Sequence, residues 1–172
     1  MEEIDINEVK ENGNNKQYML KAVQKRGKLL EYASEELQND KELVMEALKQ
    51  DGEALEFASN NLKNDKEVIM FGNKQSPWTI CYASDILKSD KEVILNIIEE
   101  YGQALYFASE DLRDDEEIVK KAVKNKGIII KYASHRLRDN IEIAKIAIEQ
   151  DNRAIEFLTK ELREKIKKEE QK

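Results

Sequence analysis

The sequence predicts an all-α protein, an α-solenoid-like array of six helix-turn-helix repeats with two layers of short helices. Three observations lead to this fold class: a 25-residue period without insertion or deletion, a helix-capping pattern at the start of each unit, and two apolar stripes with helical spacing. Because one short unit cannot bury its apolar face alone, such a period indicates units stacked on their neighbours. The period is visible in a glycine column: Gly27, Gly52, Gly102 and Gly127.

The repeats occupy residues 14–38, 39–63, 64–88, 89–113, 114–138 and 139–163. Residues 1–13 do not keep the register and are predicted to form an irregular acidic N-terminal cap. Residues 164–172 are predicted to form a charged C-terminal tail that keeps water on the last repeat.

The first helix of each repeat is predicted from a capping pattern followed by an apolar stripe. In the second repeat Asn39 stands three residues before Glu42, the spacing of a capping box, and Asp40 adds negative charge to the first turn. The apolar stripe then comprises Leu43, Val44, Ala47 and Leu48. We expect Gly52 to end this helix in the left-handed conformation.

The second helix of each repeat is predicted from a second stripe, which in the same unit comprises Ala54, Leu55, Phe57, Ala58 and Leu62. Its aromatic position alternates between tyrosine and phenylalanine along the chain, and the residue three positions earlier changes size in step. We interpret this aromatic column as core packing without a functional role; it comprises Tyr32, Phe57, Tyr82, Phe107, Tyr132 and Phe157.

The third repeat departs from the pattern. Asn73 places an amide on the predicted core face, next to Gly72, and Pro77 replaces the turn glycine. Proline cannot adopt the left-handed turn, so we expect this connection to differ, with Ser76 as cap and Pro77 as the first helical residue.

Large apolar residues in this region occupy predicted solvent columns. Stacking the central repeats would bring them to one side of the array as a candidate partner-binding patch: Phe71, Trp78, Cys81, Tyr106 and Ile128. Tryptophan and tyrosine are enriched at binding hot spots. The alternative is a drifted repeat in which Trp78 folds over the gap left by Gly72.

Composition and charge favour a binding protein over an enzyme. The formal charge of −7 argues against nucleic acid and anionic membranes and favours basic or neutral partners. Cys81 and His135 are the only residues of their types and lie two repeats apart, and His135 is in a solvent column. We therefore expect no catalytic site, no metal and no cofactor.

The chain start lacks the features of a signal peptide, and no apolar run approaches a membrane span. We expect a cytoplasmic protein; export into another cell without a cleavable signal is the alternative.

Two strings carry a resemblance to a known family: Asn64-Asp65-Lys66-Glu67-Val68-Ile69, and the run from Gly52 to Leu62. They resemble the two halves of a tandem helical module of a bacterial and protist domain-of-unknown-function family (DUF4116 type), over nearly all of residues 14–163. The resemblance implies a helical repeat fold, and it implies no established activity and no functional residues.

Two functions are compatible with these observations. The first is a non-catalytic scaffold, a monomer that binds a protein or peptide. The second is a structural spacer or self-assembling segment of a larger protein, because repeats stack end to end.

Overall fold

The computed structural model describes residues 4–169. Over this range the chain is helical and contains no strand, which confirms the predicted all-α, solenoid-like repeat fold. The chain divides into two compact units, Met1–Ser84 and Asp85–Lys172.

The first unit contains six α-helices and three 3-10 helices among its described residues. In chain order they are α1 (Ile6–Glu11), α2 (Lys16–Lys25), a 3-10 helix (Gly27–Tyr32), α3 (Glu35–Gln38), α4 (Lys41–Gln50), a 3-10 helix (Gly52–Phe57), α5 (Asn60–Lys63), α6 (Lys66–Gln75) and a 3-10 helix (Pro77–Tyr82).

The second unit continues the same order through residue 169. Its helices are α7 (Asp85–Lys88), α8 (Lys91–Glu100), a 3-10 helix (Gly102–Tyr106), α9 (Glu110–Arg113), α10 (Glu116–Asn125), a 3-10 helix (Gly127–Tyr132), α11 (His135–Arg138), α12 (Ile141–Gln150), a 3-10 helix (Asn152–Phe157) and α13 (Lys160–Glu169).

Each repeat therefore has three helical segments, where the sequence predicted two. The predicted second helix is interrupted at Ala58 and Ser59, which are both extended, with ψ of 156° and 158°. The Ser59 hydroxyl then accepts a hydrogen bond from the Leu62 amide at 3.3 Å and so starts α5. Serine at this position favours a new helix start over continuation of the old helix.

Within each unit, equivalent segments of successive repeats pack side by side. Long helices contact long helices, as α2 contacts α4 and α4 contacts α6, and 3-10 helices contact 3-10 helices. Apolar residues of both rows are fully buried between them, including Leu43, Leu48 and Leu55. The short α-helices form a third row, because the Ser59 amide donates to the Gln38 carbonyl at 2.9 Å and its hydroxyl donates to Asn39 Oδ1 at 2.6 Å.

The cap of each long helix lies one residue later than predicted. Asp40 Oδ1 accepts the hydrogen bond from the Leu43 amide at 3.0 Å, and Asp40 has the extended backbone of a capping residue. Asn39 instead ends α3, with ψ near 1°. There is consequently no capping box at this helix, and Glu42 has another partner.

A lysine at the start of each of three long helices forms ion pairs with the cap of the next one. Lys16 Nζ lies 2.7 Å from Asp40 Oδ2 and 2.7 Å from Glu42 Oε2. The same arrangement joins Lys41 to Asp65 and Glu67, and Lys91 to Asp115 and Glu117. Hydrogen bonds to Asp40 and Glu42 raise the pKa of Lys16. Partial burial raises the pKa of Asp40, but hydrogen bonds from Lys16 and the Leu43 amide outweigh burial and hold it below its ordinary value.

The glycine column does not end the helices in the left-handed conformation. Among the described residues no glycine has a positive φ, and Gly52 is the first residue of a 3-10 helix. Glycine is needed because the next repeat approaches closely. A Cβ on Gly27 would lie 2.5 Å from the Ala47 carbonyl oxygen, and one on Gly127 would lie 2.1 Å from that of Ala147.

The N-terminal cap is helical where the sequence predicted irregular structure. Asp5 caps α1 by accepting from the Asn7 amide at 2.8 Å, and Val9 on α1 is buried. In the predicted tail, α13 continues to Glu169 and buries Ile166. The rest of the predicted tail, residues 170–172, lies outside the described residues.

Candidate functional site

Trp78 is exposed, as the sequence predicted, with 51% of its surface accessible. It lies on the 3-10 helix Pro77–Tyr82, which Ser76 precedes with φ −147° and ψ 122°. Because a 3-10 helix has three residues per turn, Trp78 and the half-buried Cys81 stand on one face.

Pro77 does not change the connection, contrary to prediction. Ser76 holds the cap position as predicted, but its side chain makes no capping hydrogen bond. Asp51 precedes Gly52 with nearly the same backbone, φ −154° and ψ 109°. Since the first position of these 3-10 helices has a negative φ, proline fits where other repeats carry glycine.

Acidic side chains lie on the 3-10 helix of the preceding repeat, which packs beside the helix of Trp78. Glu53 and Glu56 lie on the neighbouring 3-10 helix, Glu53 at the position equivalent to Trp78 and Glu56 at that of Cys81. Lys28 Nζ pairs with Glu53 Oε2 at 2.8 Å, whereas Glu56 is exposed. Burial raises the pKa of Tyr82, and so do the nearby Cys81 and the Glu56 and Glu53 carboxylates. We call these residues the Trp78 surface: Glu53, Glu56, Trp78, Cys81 and Tyr82.

Phe71 lies half-buried on α6, in the row of long helices. Gly72 follows Phe71 on α6, and the gap that Gly72 leaves is filled by Thr79, not by Trp78. Thr79 is fully buried and its hydroxyl donates to the Gly52 carbonyl at 3.1 Å. Asn73 Nδ2 donates to the Ile69 carbonyl at 3.1 Å, while its buried Oδ1 finds no hydrogen-bond partner among residues 4–169.

The remaining two predicted patch residues belong to the second unit. Tyr106 is 54% exposed and its ring centroid lies 4.9 Å from those of both Phe107 and Tyr132. Ile128 is half-buried on the next 3-10 helix. The five predicted residues are thus divided between the units, with Phe71, Trp78 and Cys81 in the first.

Sequence reasoning missed two features of these surfaces. Ile86 is 69% exposed on α7. The aromatic column is only half-buried, so its interpretation as plain core packing was incomplete. Lys131 Nζ lies 4.8 Å from the Tyr132 centroid and 5.7 Å from that of Phe157, and Lys10 Nζ lies 5.3 Å from that of Tyr32. The sequence signal for this exposure was Lys131, a charged residue directly before Tyr132 of the column.

His135 is exposed at the start of α11. Within residues 4–169 no group of three or more histidine, cysteine, aspartate or glutamate side chains is placed to hold a metal ion. None of the described helices is both long and apolar enough to span a bilayer.

Comparison with known proteins identifies the repeat. A family model described as "Domain of unknown function (DUF4116)" matches residues 15–63, 42–88, 65–113 and 115–163, in agreement with the tandem register. No curated protein and no solved structure matches the chain. The family matches cover most of the sequence, and the chain therefore belongs to the DUF4116 family.

Proposed function

We propose that the protein is a non-catalytic helical repeat scaffold, a cytoplasmic monomer that binds a basic or neutral protein or peptide. The observation that carries this proposal is the exposure of Trp78 on a 3-10 helix. Isolated exposed apolar residues are common, but tryptophan and tyrosine supply much of the energy at interface hot spots. The half-exposed Tyr106 in the second unit gives a second anchor of the same kind.

Trp78 fluorescence tests the premise directly, because Trp78 is the only tryptophan in the chain. We expect red-shifted emission and efficient quenching by acrylamide. Blue-shifted emission with protection from acrylamide would mean that the ring is buried, and the proposal would lose its basis.

Binding is tested by selecting peptides from a random display library against the intact protein. Selected peptides should bind the Trp78→Ala variant about 30-fold more weakly, since a hot-spot residue contributes about 2 kcal/mol or more. Tyr106→Ala removes the second exposed aromatic residue, in the second unit, and tests the other proposed anchor in the same way. Thermal melts should differ little between Trp78→Ala and wild type. Selected peptides that bind both variants as tightly as wild type would contradict the proposal.

The second candidate is a structural spacer or self-assembling segment. It is favoured by the end-to-end stacking of repeats within each unit. Sedimentation over a hundredfold concentration range separates the two functions. A constant monomer mass supports the scaffold, and growth of the particle with concentration supports self-assembly.

A further inference from the structure

The protein's own lysines show how a cation meets the aromatic column. Lys131 contacts the ring that follows it, Tyr132, and the equivalent ring one repeat later, Phe157, with Nζ within 5.7 Å of both centroids. A cation within about 6 Å of a ring centroid is attracted by the negative face of the ring. The half-buried rings of this column are therefore accessible to an ammonium group.

The corresponding positions around Tyr82 hold no cation. The residue before it is Cys81, and the residue equivalent to Lys131 one repeat earlier is Glu56. Among residues 4–84 the structure shows no ion pair of the Glu56 carboxylate. Lys63, a nearby cation, donates to the Glu56 carbonyl oxygen at 2.6 Å. Tyr82 thus has the Glu56 carboxylate at the position where Phe157 has the Lys131 ammonium.

Trp78 lies on the same 3-10 helix, one turn before Cys81 and on the face that Cys81 occupies. Tryptophan is the most favourable ring for a cation, and half of this one is open to solvent. Glu53 is already paired with Lys28, so Glu56 is the carboxylate left to receive an incoming charge. The overall charge of −7 draws cationic partners towards the protein.

We propose that the Trp78 surface binds a lysine or arginine side chain of a basic peptide, with the cation between the Glu56 carboxylate and the rings of Trp78 and Tyr82. This inference rests on the proposed function and names the partner chemistry at one surface. An acidic peptide would be repelled by Glu53 and Glu56.

The test mixes the intact protein with short Gly/Ser peptides that carry three lysines, three acetyl-lysines or three glutamates. The change in Trp78 fluorescence emission measures binding. The lysine peptide should bind, and acetylation, which keeps the side chain but removes its charge, should weaken binding at least tenfold. Raising the salt from 50 to 500 mM should also weaken it.

Two variants locate the cation. Glu56→Gln should weaken the lysine peptide several-fold. Glu56→Lys places the protein's own ammonium beside Tyr82, as Lys131 lies beside Phe157, and should abolish binding without lowering the melting temperature. Glu156→Gln changes the same column in the last repeat and should leave binding unchanged.

Each outcome decides one point. Equal binding of the lysine and acetyl-lysine peptides would overturn the cation site and leave the scaffold function standing. Equal effects of Glu56→Gln and Glu156→Gln would overturn it as well. Failure of the lysine peptide to change Trp78 emission at millimolar concentration would overturn the inference, while the library selection would still judge the scaffold function by itself.

Discussion

Thr79 occupies the space that Gly72 leaves on the facing helix. A Cβ added to Gly72 would lie 2.5 Å from Thr79 Cγ2, and the Thr79 hydroxyl is fixed by its bond to the Gly52 carbonyl. In the second repeat the two equivalent positions hold Ala47 and Ala54, both fully buried. The irregular pair thus conserves volume across the interface between α6 and its 3-10 helix.

This pair should show strong coupling. Gly72→Ala gains about 1 kcal/mol of helix propensity, but overpacking against Thr79 costs about 1–3 kcal/mol, so the variant should be neutral or less stable. In a Thr79→Ala background the clash is gone, and Gly72→Ala should stabilise by about 1 kcal/mol. Urea denaturation of the four proteins measures this cycle. Additive effects would mean that the two side chains do not compete for space.

The glycine column should respond unequally to alanine. Gly127→Ala directs its Cβ at a backbone oxygen 2.1 Å away and should cost about 2 kcal/mol or more. The added Cβ at Gly102 meets the Asn125 side chain at 2.9 Å and the Ala122 oxygen at 3.0 Å, so the loss should be smaller. Thermal unfolding ranks the two variants. Equal losses would point to a shared backbone requirement in place of close approach.

The position of the helix cap is tested by neighbouring substitutions. Asp40→Ala should cost about 0.5–2 kcal/mol, because it removes the side chain that accepts from the Leu43 amide. Asn39→Ala removes only an exposed hydrogen bond with Ser59 and should cost less, about 0.5 kcal/mol. Denaturant midpoints compare them. The reverse order would place the cap at Asn39.

Acid should weaken the contacts between long helices. The pKa values of Asp40, Asp65 and Asp115 are lowered in the folded protein, since their hydrogen bonds to lysines and backbone amides outweigh the effect of burial. A lowered folded pKa gives stability that is present above the ordinary value of about 3.9 and is lost as the pH falls through the folded value.

The melting temperature should therefore fall between about pH 5 and pH 2. Asp40→Asn keeps a capping oxygen, as Asn140 does for α12, but has no charge to lose. Its decrease over this range should be smaller than that of wild type. An identical decrease would show that Asp40 does not contribute to the acid transition.

Asn73 should be replaceable with a gain in stability. Its buried Oδ1 has no partner among the described residues, and an unsatisfied buried oxygen costs about 1–3 kcal/mol. Asn73→Val introduces the residue found at the equivalent Val123 and should raise stability by about 1 kcal/mol in chemical denaturation. A loss would indicate that water satisfies the amide.

Sequence periodicity predicted the repeat register, the buried stripes and the exposure of Trp78. It misplaced the cap, because Asn39 and Asp40 are both good capping residues and Glu42 happens to stand three positions after the first. The periodicity also led to the wrong role for the glycines. A glycine required by close approach between repeats and a glycine required by a left-handed turn look the same in the sequence. The filling of the Gly72 gap by Thr79 depends on distances between helices, which a period does not contain.

The lysine contacts between long helices give the stacked repeats within each unit a direction. Lys16, Lys41 and Lys91 each reach forward to an aspartate cap 24 residues later. Where Glu116 replaces the lysine, the cap 24 residues later is Asn140, which keeps the capping hydrogen bonds at 2.9 and 3.2 Å without a carboxylate. Repeats are consequently not interchangeable modules: a unit that starts its long helix with lysine should be followed by an aspartate-capped unit, and shuffled repeats that join glutamate to an aspartate cap would set two like charges against each other at the joint.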